Sequence, residues 1–280
     1  MTLAISAISA IPVPDRLLDR ALRSAAERCA RPGGLAFTAR QLYYETDRTL
    51  FPLHRGPHRL RYTTRPLLSE PRFAAALARH PALDALPDLV APAPHRPGPE
   101  GDLYDYAFPR LLVCQDPAIA GMLRANRLHL EGACPILTPE RLPLDGRLLA
   151  AMARADGAVV HVLHDASPAG LELFVRVRAH AGPRLRVRTA GLLPRHAAAL
   201  HLAAPGGRPR CAVEDLPAEL QAAERAWLAG GRVAELAAVR PARLLRAVLR
   251  TVRGGGFAPP ARPAAPTRAR DTGFLTWPTP

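Results

Sequence analysis

The sequence contains no lysine: all 38 of its Lys-plus-Arg positions are arginine. With so much Ala, Pro and Leu, this absence points to a biased nucleotide composition in the encoding genome. Such bias does not explain the surplus of positive charge, because Ala and Gly would serve it equally. Thirty-eight basic against 24 acidic residues leave a net charge of +14, which fits a nucleic-acid partner as well as solvated arginine faces. Cysteine is scarce and scattered. Cys29, Cys114, Cys134 and Cys211 form no CxxC pair, so neither a structural zinc site nor a disulfide framework is indicated. They read as buried thiols in a reducing compartment. No uncharged apolar run approaches the ~20 residues that span a bilayer. Residues 1–13 lack the basic start and long apolar stretch of a secretory leader. A soluble, cytoplasmic protein without a membrane partner is expected. There is no ATP-binding motif and no internal repeat. The 280 residues, 48% of them apolar, suffice for one or two domains with a core of their own.

The stretch that organises the rest is Thr38-Ala39-Arg40-Gln41-Leu42-Tyr43-Tyr44-Glu45. Thr38 with Gln41 three residues on is a capping-box pattern and marks a helix start. On that helix Arg40, Tyr44 and Arg48 share one face at four-residue spacing. A phenol between two guanidinium groups suits a tyrosine that meets a phosphodiester. Guanidinium pairs with phosphate bidentately, and nearby positive charge eases ionisation of a phenol. The plainer reading is a half-buried packing tyrosine.

Upstream, residues 14–30 carry an apolar stripe at helical spacing (Leu17, Leu18, Ala21, Leu22, Ala25, Cys29), closed by Pro32-Gly33-Gly34. Downstream lies a basic stretch, Arg55, Arg59, Arg61 and Arg65, with a short strand expected at 59–63 and a third helix after Ser69. Helix, turn, helix, strand and helix within ~90 residues fit a winged-helix-like domain. Residues 91–101, dense in Pro and Gly, read as a linker. Residues 102–253 then alternate strands (110–114, 134–138, 158–163, 184–187) with helices (117–126, 144–155, 168–180). This is the pattern of an α/β domain with a mostly parallel sheet. Further helices are expected at 216–228 and 241–253. The latter is amphipathic, with Arg243, Arg246, Arg250 and Arg253 along one side. The Pro- and Arg-rich residues 254–280 read as a disordered tail.

Ligands of open α/β sheets gather at the carboxyl ends of strands. Gln115 and Asp116 follow the first strand of this domain, and Asp165 follows 158–163. The three are candidates to hold a cation. The competing reading is capping, since Asp after a strand and Ser167 before Pro168 are both good helix N-caps.

The two sites together resemble the A subunit of topoisomerase VI and the meiotic double-strand-break transesterase. In that family an Arg-x-x-aromatic-Tyr motif on a winged-helix-like domain precedes a TOPRIM domain. The motif corresponds here to Arg40-Gln41-Leu42-Tyr43-Tyr44, and the TOPRIM segments to Leu112-Val113-Cys114-Gln115-Asp116 and Asp165-Ala166-Ser167-Pro168-Ala169-Gly170. The resemblance covers roughly residues 15–200. It implies Tyr44 as nucleophile, Arg40 as stabiliser of the developing charge, and Mg²⁺ at Asp165, Asp116 and Gln115. It also implies double-stranded DNA as substrate, a homodimer, and a separate ATPase subunit as partner. Gln115 and Ser167 stand where the family has Glu and Asp, so the acidic set is degenerate.

Three functional expectations follow. One is a DNA-binding relative of these transesterases that cleaves through a phosphotyrosyl intermediate. Another is a non-catalytic DNA-binding or dimerisation module. The third is an α/β protein with coincidental motif matches. The arginines expected at DNA are Arg48, Arg59, Arg61, Arg65, Arg243, Arg246 and Arg250.

Overall fold

Pro14, fixed at a φ compatible with helix entry, stands before the first helix, α1 (Asp15–Cys29). It opens the computed structural model of the chain, which describes residues 13–57, 60–81, 83, 85–86, 109–207, 211–214, 216–217 and 220–254. The expected linker at 91–101, Arg59, and the tail from 255 onward lie outside the described residues.

α1 packs along α2 (Ala39–Leu50). Their apolar stripes, Leu18, Leu22, Ala25 and Cys29 against Leu42 and Tyr43, are buried in one cluster. Strand β1 (Phe37–Thr38) leads directly into α2, and α3 (Glu70–Ala78) follows. β1 pairs with β2 (Ala85–Leu86) in parallel, not as an antiparallel wing. The strand expected at 59–63 does not form among the described residues. Residues 61–64 instead lie extended against 198–204, with Thr64 N donating to Leu202 O at 3.0 Å and Ala204 N to Thr64 O at 2.8 Å. Backbone donors expected to serve a local wing are satisfied by the far half of the chain.

That far half is α/β, as expected, and its sheet is entirely parallel. Strands β3 (Arg110–Cys114), β4 (Ile136–Leu137), β5 (Val159–Leu163) and β6 (Arg186–Thr189) are arranged in the order β4-β3-β5-β6. Near-continuous apolar β3 and β5 are buried on both faces, which is what a central parallel strand requires. Leu111, Val113, Val160 and Val162 meet Leu148 and Met152 of α6 (Gly146–Ala153), and Leu173 and Val177 of α7 (Pro168–Ala181). Leu112, Cys114 and Leu163 face the other way, onto Ile119, Met122 and Leu123 of α4 (Pro117–Ala125). This second cluster continues without a break into α1, α2 and α10 (Pro241–Val252). The short helices α5 (Leu128–Glu131), α8 (Pro194–Ala199) and α9 (Ala222–Ala229) complete the order. α9 starts later than the expected 216. Pro217 interrupts the run, and Glu224 Oε2 accepts from the Gln221 amide at 3.1 Å to begin the helix there. Cys29, Cys114 and Cys134 are buried free thiols, and Cys211 is partly exposed. No helix among the described residues is long and apolar enough to cross a membrane.

Candidate functional site at the carboxyl end of the sheet

Helix α2 supplies one side of the site. Thr38 Oγ1 accepts from the Gln41 amide at 3.1 Å and Gln41 Oε1 accepts from the Thr38 amide at 3.0 Å, so the capping box is present. Arg40 and Tyr44 meet across one helical turn, with Arg40 Nη2 donating to Tyr44 Oη at 3.3 Å. The guanidinium carbon also lies 5.1 Å from the centroids of both the Tyr43 and Tyr44 rings.

The remainder of the expected arrangement is different. Arg48 turns away from Tyr44. It is buried, its Nε donating to Glu45 Oε2 at 3.0 Å and its Nη1 to Ala238 O. The phenol therefore has one guanidinium beside it, not two, and Arg48 is engaged in the interior instead of facing a DNA backbone. Arg40 is itself committed. Its Nε and Nη2 bind the two oxygens of Glu235 at 2.6 and 2.8 Å, and its Nη1 binds Glu70 Oε1 at 2.7 Å. Tyr44 is fully buried. Burial first, then the Glu235 carboxylate, push its phenol above the ordinary tyrosine range, and Arg40 only partly offsets them. Sequence reasoning has positive charge easing ionisation. The acid that neutralises that charge lies 195 residues away, where spacing gives no sign of it.

The sheet supplies the other side. Gln115 and Asp165 occupy neighbouring strand ends, as expected. β3 and β5 are paired with Cys114 opposite Leu163, and Gln115 Oε1 accepts from the Asp165 amide at 2.9 Å. Here the strand order reverses: α4 follows β3 on one face and α7 follows β5 on the other. Such a switch point normally opens a ligand crevice. In this chain residues 234–236 lie across it. Ala166 and Ala234 exchange backbone bonds of 2.9 and 3.1 Å, and Leu236 N donates to Asp165 Oδ1 at 2.7 Å. Glu235, between them, reaches back to Arg40.

The residues expected to hold Mg²⁺ are bonded to backbone amides. Asp116 caps α4, its Oδ1 accepting from Ala118 N at 2.8 Å and Ile119 N at 3.4 Å. Ser167 caps α7, its Oγ accepting from Gly170 N at 3.0 Å. Asp165 and Gln115 are engaged as above. No group of three or more His, Cys, Asp or Glu among the described residues is arranged to hold a metal. Asp165 is pushed up to about 7 by burial. The Leu236 amide opposes this, Glu235 and Asp116 add to it, and Arg40 opposes it.

Next to Asp165, His164 is fully buried. Its Nδ1 lies 2.8 Å from Asp165 O and its Nε2 2.9 Å from Thr189 Oγ1. Two glycines allow the ring to sit there. A Cβ at Gly191 would stand 2.4 Å from the imidazole, and one at Gly170 would stand 2.5 Å from Asp165 O. A second network, centred on buried Glu45, joins it to Arg48 at 3.0 Å, Arg240 at 3.0 Å and Arg28 at 3.6 Å. Sequence reasoning missed Glu235, Arg240, His164 and Gly191, and had Gly170 only as the end of the Asp165–Gly170 segment. The one available signal was Glu45 on the apolar face of α2, where a carboxylate needs a cation.

Of the other arginines expected at DNA, Arg61 and Arg65 are exposed on the extended 61–65 segment. On α10, Arg246 and Arg250 are exposed. Arg243 is half-buried, its pKa held below the usual arginine value by burial and by Arg246 and Arg240. No protein-family model matches the chain, and neither does any curated protein or solved structure.

Proposed function

We propose that the chain is a duplex-DNA-binding relative of the topoisomerase VI A-type transesterases that does not cleave DNA. In this reading the tyrosine motif and the sheet-end residues hold the two halves of the protein together. The observation that carries it is the Arg40–Glu235 pair over a fully buried Tyr44. A nucleophilic tyrosine must reach phosphorus and lose a proton. Tyr44 has no exposed surface, and its surroundings favour the neutral phenol. DNA binding is supported by the +14 net charge and by the exposed Arg61, Arg65, Arg246 and Arg250. The α/β half serves dimerisation or partner contact, including any separate ATPase subunit.

The test is covalent trapping on supercoiled DNA with Mg²⁺ or Mn²⁺, run beside a salt titration of duplex binding. The expected result is salt-sensitive binding without a protein–DNA adduct. An adduct that disappears in Tyr44→Phe overturns the non-cleaving reading. Binding that stays weak even at low salt overturns the DNA-binding one.

A further inference from the structure

Strand β6 is the outer strand of the sheet on its side. Its side chains alternate between the apolar layer and solvent. Leu185 and Val187 turn into the apolar layer against α6 and α7. Arg186 and Arg188 stand on either side of Val187, Arg184 lies in the turn just before the strand, and all three are exposed. At about 3.3 Å per residue, arginines two apart stand roughly 6.6 Å from each other on one face. None of the three has an acidic partner within salt-bridge distance among the described residues.

The register extends this row across the sheet. Arg186 is opposite Val159, which is opposite Arg110. Arg188 is opposite His161, which is opposite Leu112. Side chains at paired positions share a face, so Arg186, Arg188, His161 and Arg110 share one. His161 is only 4% exposed, and its Nδ1 is buried without a hydrogen-bond partner. Burial and the positive charge of Arg188 and Arg110 depress its pKa to about 4. The neutral imidazole thus lies beneath the guanidinium groups, where a phosphate paired with them would offset the charge it senses.

The row does not end at Arg110. Arg110 Nη1 is directed at Gly132 O, 3.5 Å away, and Arg253 Nη2 donates to Glu131 O at 2.9 Å. The two arginines thus flank the same turn after α5. Arg253 is exposed and follows α10 directly, one to two turns beyond Arg250 and Arg246.

We infer that Arg188, Arg186, Arg110 and Arg253, with His161 beneath them, form a phosphate-binding track that continues the arginine face of α10 across the sheet to its edge strand. The occupant is the phosphate backbone of duplex DNA, so the inference rests on the DNA-binding reading above. A lipid surface fits less well: the alternate side chains Leu185 and Val187 point inward, leaving β6 no apolar groups to insert. Charge that only blunts a sheet edge against aggregation is the structural alternative for the β6 arginines. It does not explain Arg110 or the unpartnered His161.

The experiment measures duplex affinity against salt for the full chain, for Arg186→Gln/Arg188→Gln and for Arg246→Gln/Arg250→Gln. Each phosphate contact contributes about 0.9 to the slope of log K against log salt. Each double variant is therefore expected to lose about 1.8 from that slope. NMR of the His161 imidazole is expected to shift when DNA is added to the wild type. An unchanged slope in Arg186→Gln/Arg188→Gln, with that variant folded and in the wild-type oligomeric state, overturns the track while leaving DNA binding through α10 intact. Aggregation of that variant with an unmoved His161 signal in the wild type assigns the arginines to edge protection and overturns it too. Wild type that binds no duplex at low salt overturns both proposals.

Discussion

Arg40 grips both oxygens of Glu235, at 2.6 and 2.8 Å, from the opposite end of the chain. The pair is one of three ties between α2 and residues 235–240. The others are Arg48 to the carbonyl of Ala238 and Arg240 to Glu45. Each places a charged group where its partner must come from the other half.

Removing Glu235 should therefore cost stability well beyond a surface ion pair. Glu235→Gln leaves Arg40 with Glu70 alone and withdraws the carboxylate beside Tyr44. We expect a loss of about 2–3 kcal/mol, short of the full value for a wholly buried pair, because Arg40 is 30% exposed. Urea unfolding monitored by circular dichroism measures it. A change under about 0.5 kcal/mol would assign the pair to the surface class.

The five tyrosines should not ionise together. Tyr43 and Tyr44 are both pushed above the ordinary phenol range by burial. The unfolded chain releases these protons near pH 10 and the folded one does not. Stability from this source is thus complete below about pH 10 and lost as pH rises beyond it. Absorbance titration at 295 nm should show at least two phenols that ionise only with unfolding. Tyr44→Phe should remove one of these without changing DNA affinity.

Asp165 gives a pH dependence of the same sign and origin at lower pH. Its folded pKa of about 7 exceeds the usual carboxylate value, so the folded state retains a proton that the unfolded state gives up. Its contribution is complete below about pH 4 and falls as pH rises to 7. His161, depressed to about 4, acts the other way over part of this range, since the unfolded chain binds its proton first as pH falls. A comparison with Asp165→Asn isolates the aspartate. The variant should match wild type near pH 4 and exceed it in thermal midpoint at pH 7 to 8. A variant less stable at pH 8 would show that the carboxylate charge is needed there.

The glycine clasp around His164 predicts a paired result. Gly191→Ala forces a methyl group to within 2.4 Å of the ring and should cost about 1–3 kcal/mol. His164→Ala alone should also destabilise, by leaving a cavity and taking one hydrogen-bond partner each from Thr189 Oγ1 and Asp165 O. The double variant should be more stable than the sum of the two losses implies, because the methyl then enters vacated space. Simple additivity in a double-mutant cycle would remove His164 as the reason for glycine at 191.

What was legible in the sequence follows the range of each physical effect. The capping box of α2, the caps at Asp116 and Ser167, and the central strands β3 and β5 rest on neighbours within a few residues or on continuous apolar runs. All of these appear where expected. Gln115 and Asp165 also meet, because strand ends of a parallel sheet are fixed by its pattern. Partnerships across the chain were not legible. Nothing local distinguishes Glu235 from a solvated acid, yet it adds to the burial that keeps Tyr44 neutral. Arg48 has the spacing of a residue beside Tyr44, but Glu45 and Ala238 set its direction. The arginines of β6 were read as part of a strand and not as a surface, since the face they share with Arg110 depends on register.

The three ties between α2 and residues 235–240 also bear on how the protein is made. Helix α2 leaves the ribosome about 190 residues before the segment that satisfies Arg40, Glu45 and Arg48. Until then its buried charges have no distant partners, and the apolar surface around Tyr44 lacks part of its cover. Contacts of such separation make folding slow, because loop closure must precede the reward. The first helices of the chain are thus a waiting template during synthesis, and the nascent protein passes through a long interval with its Tyr44 surface open to chaperones.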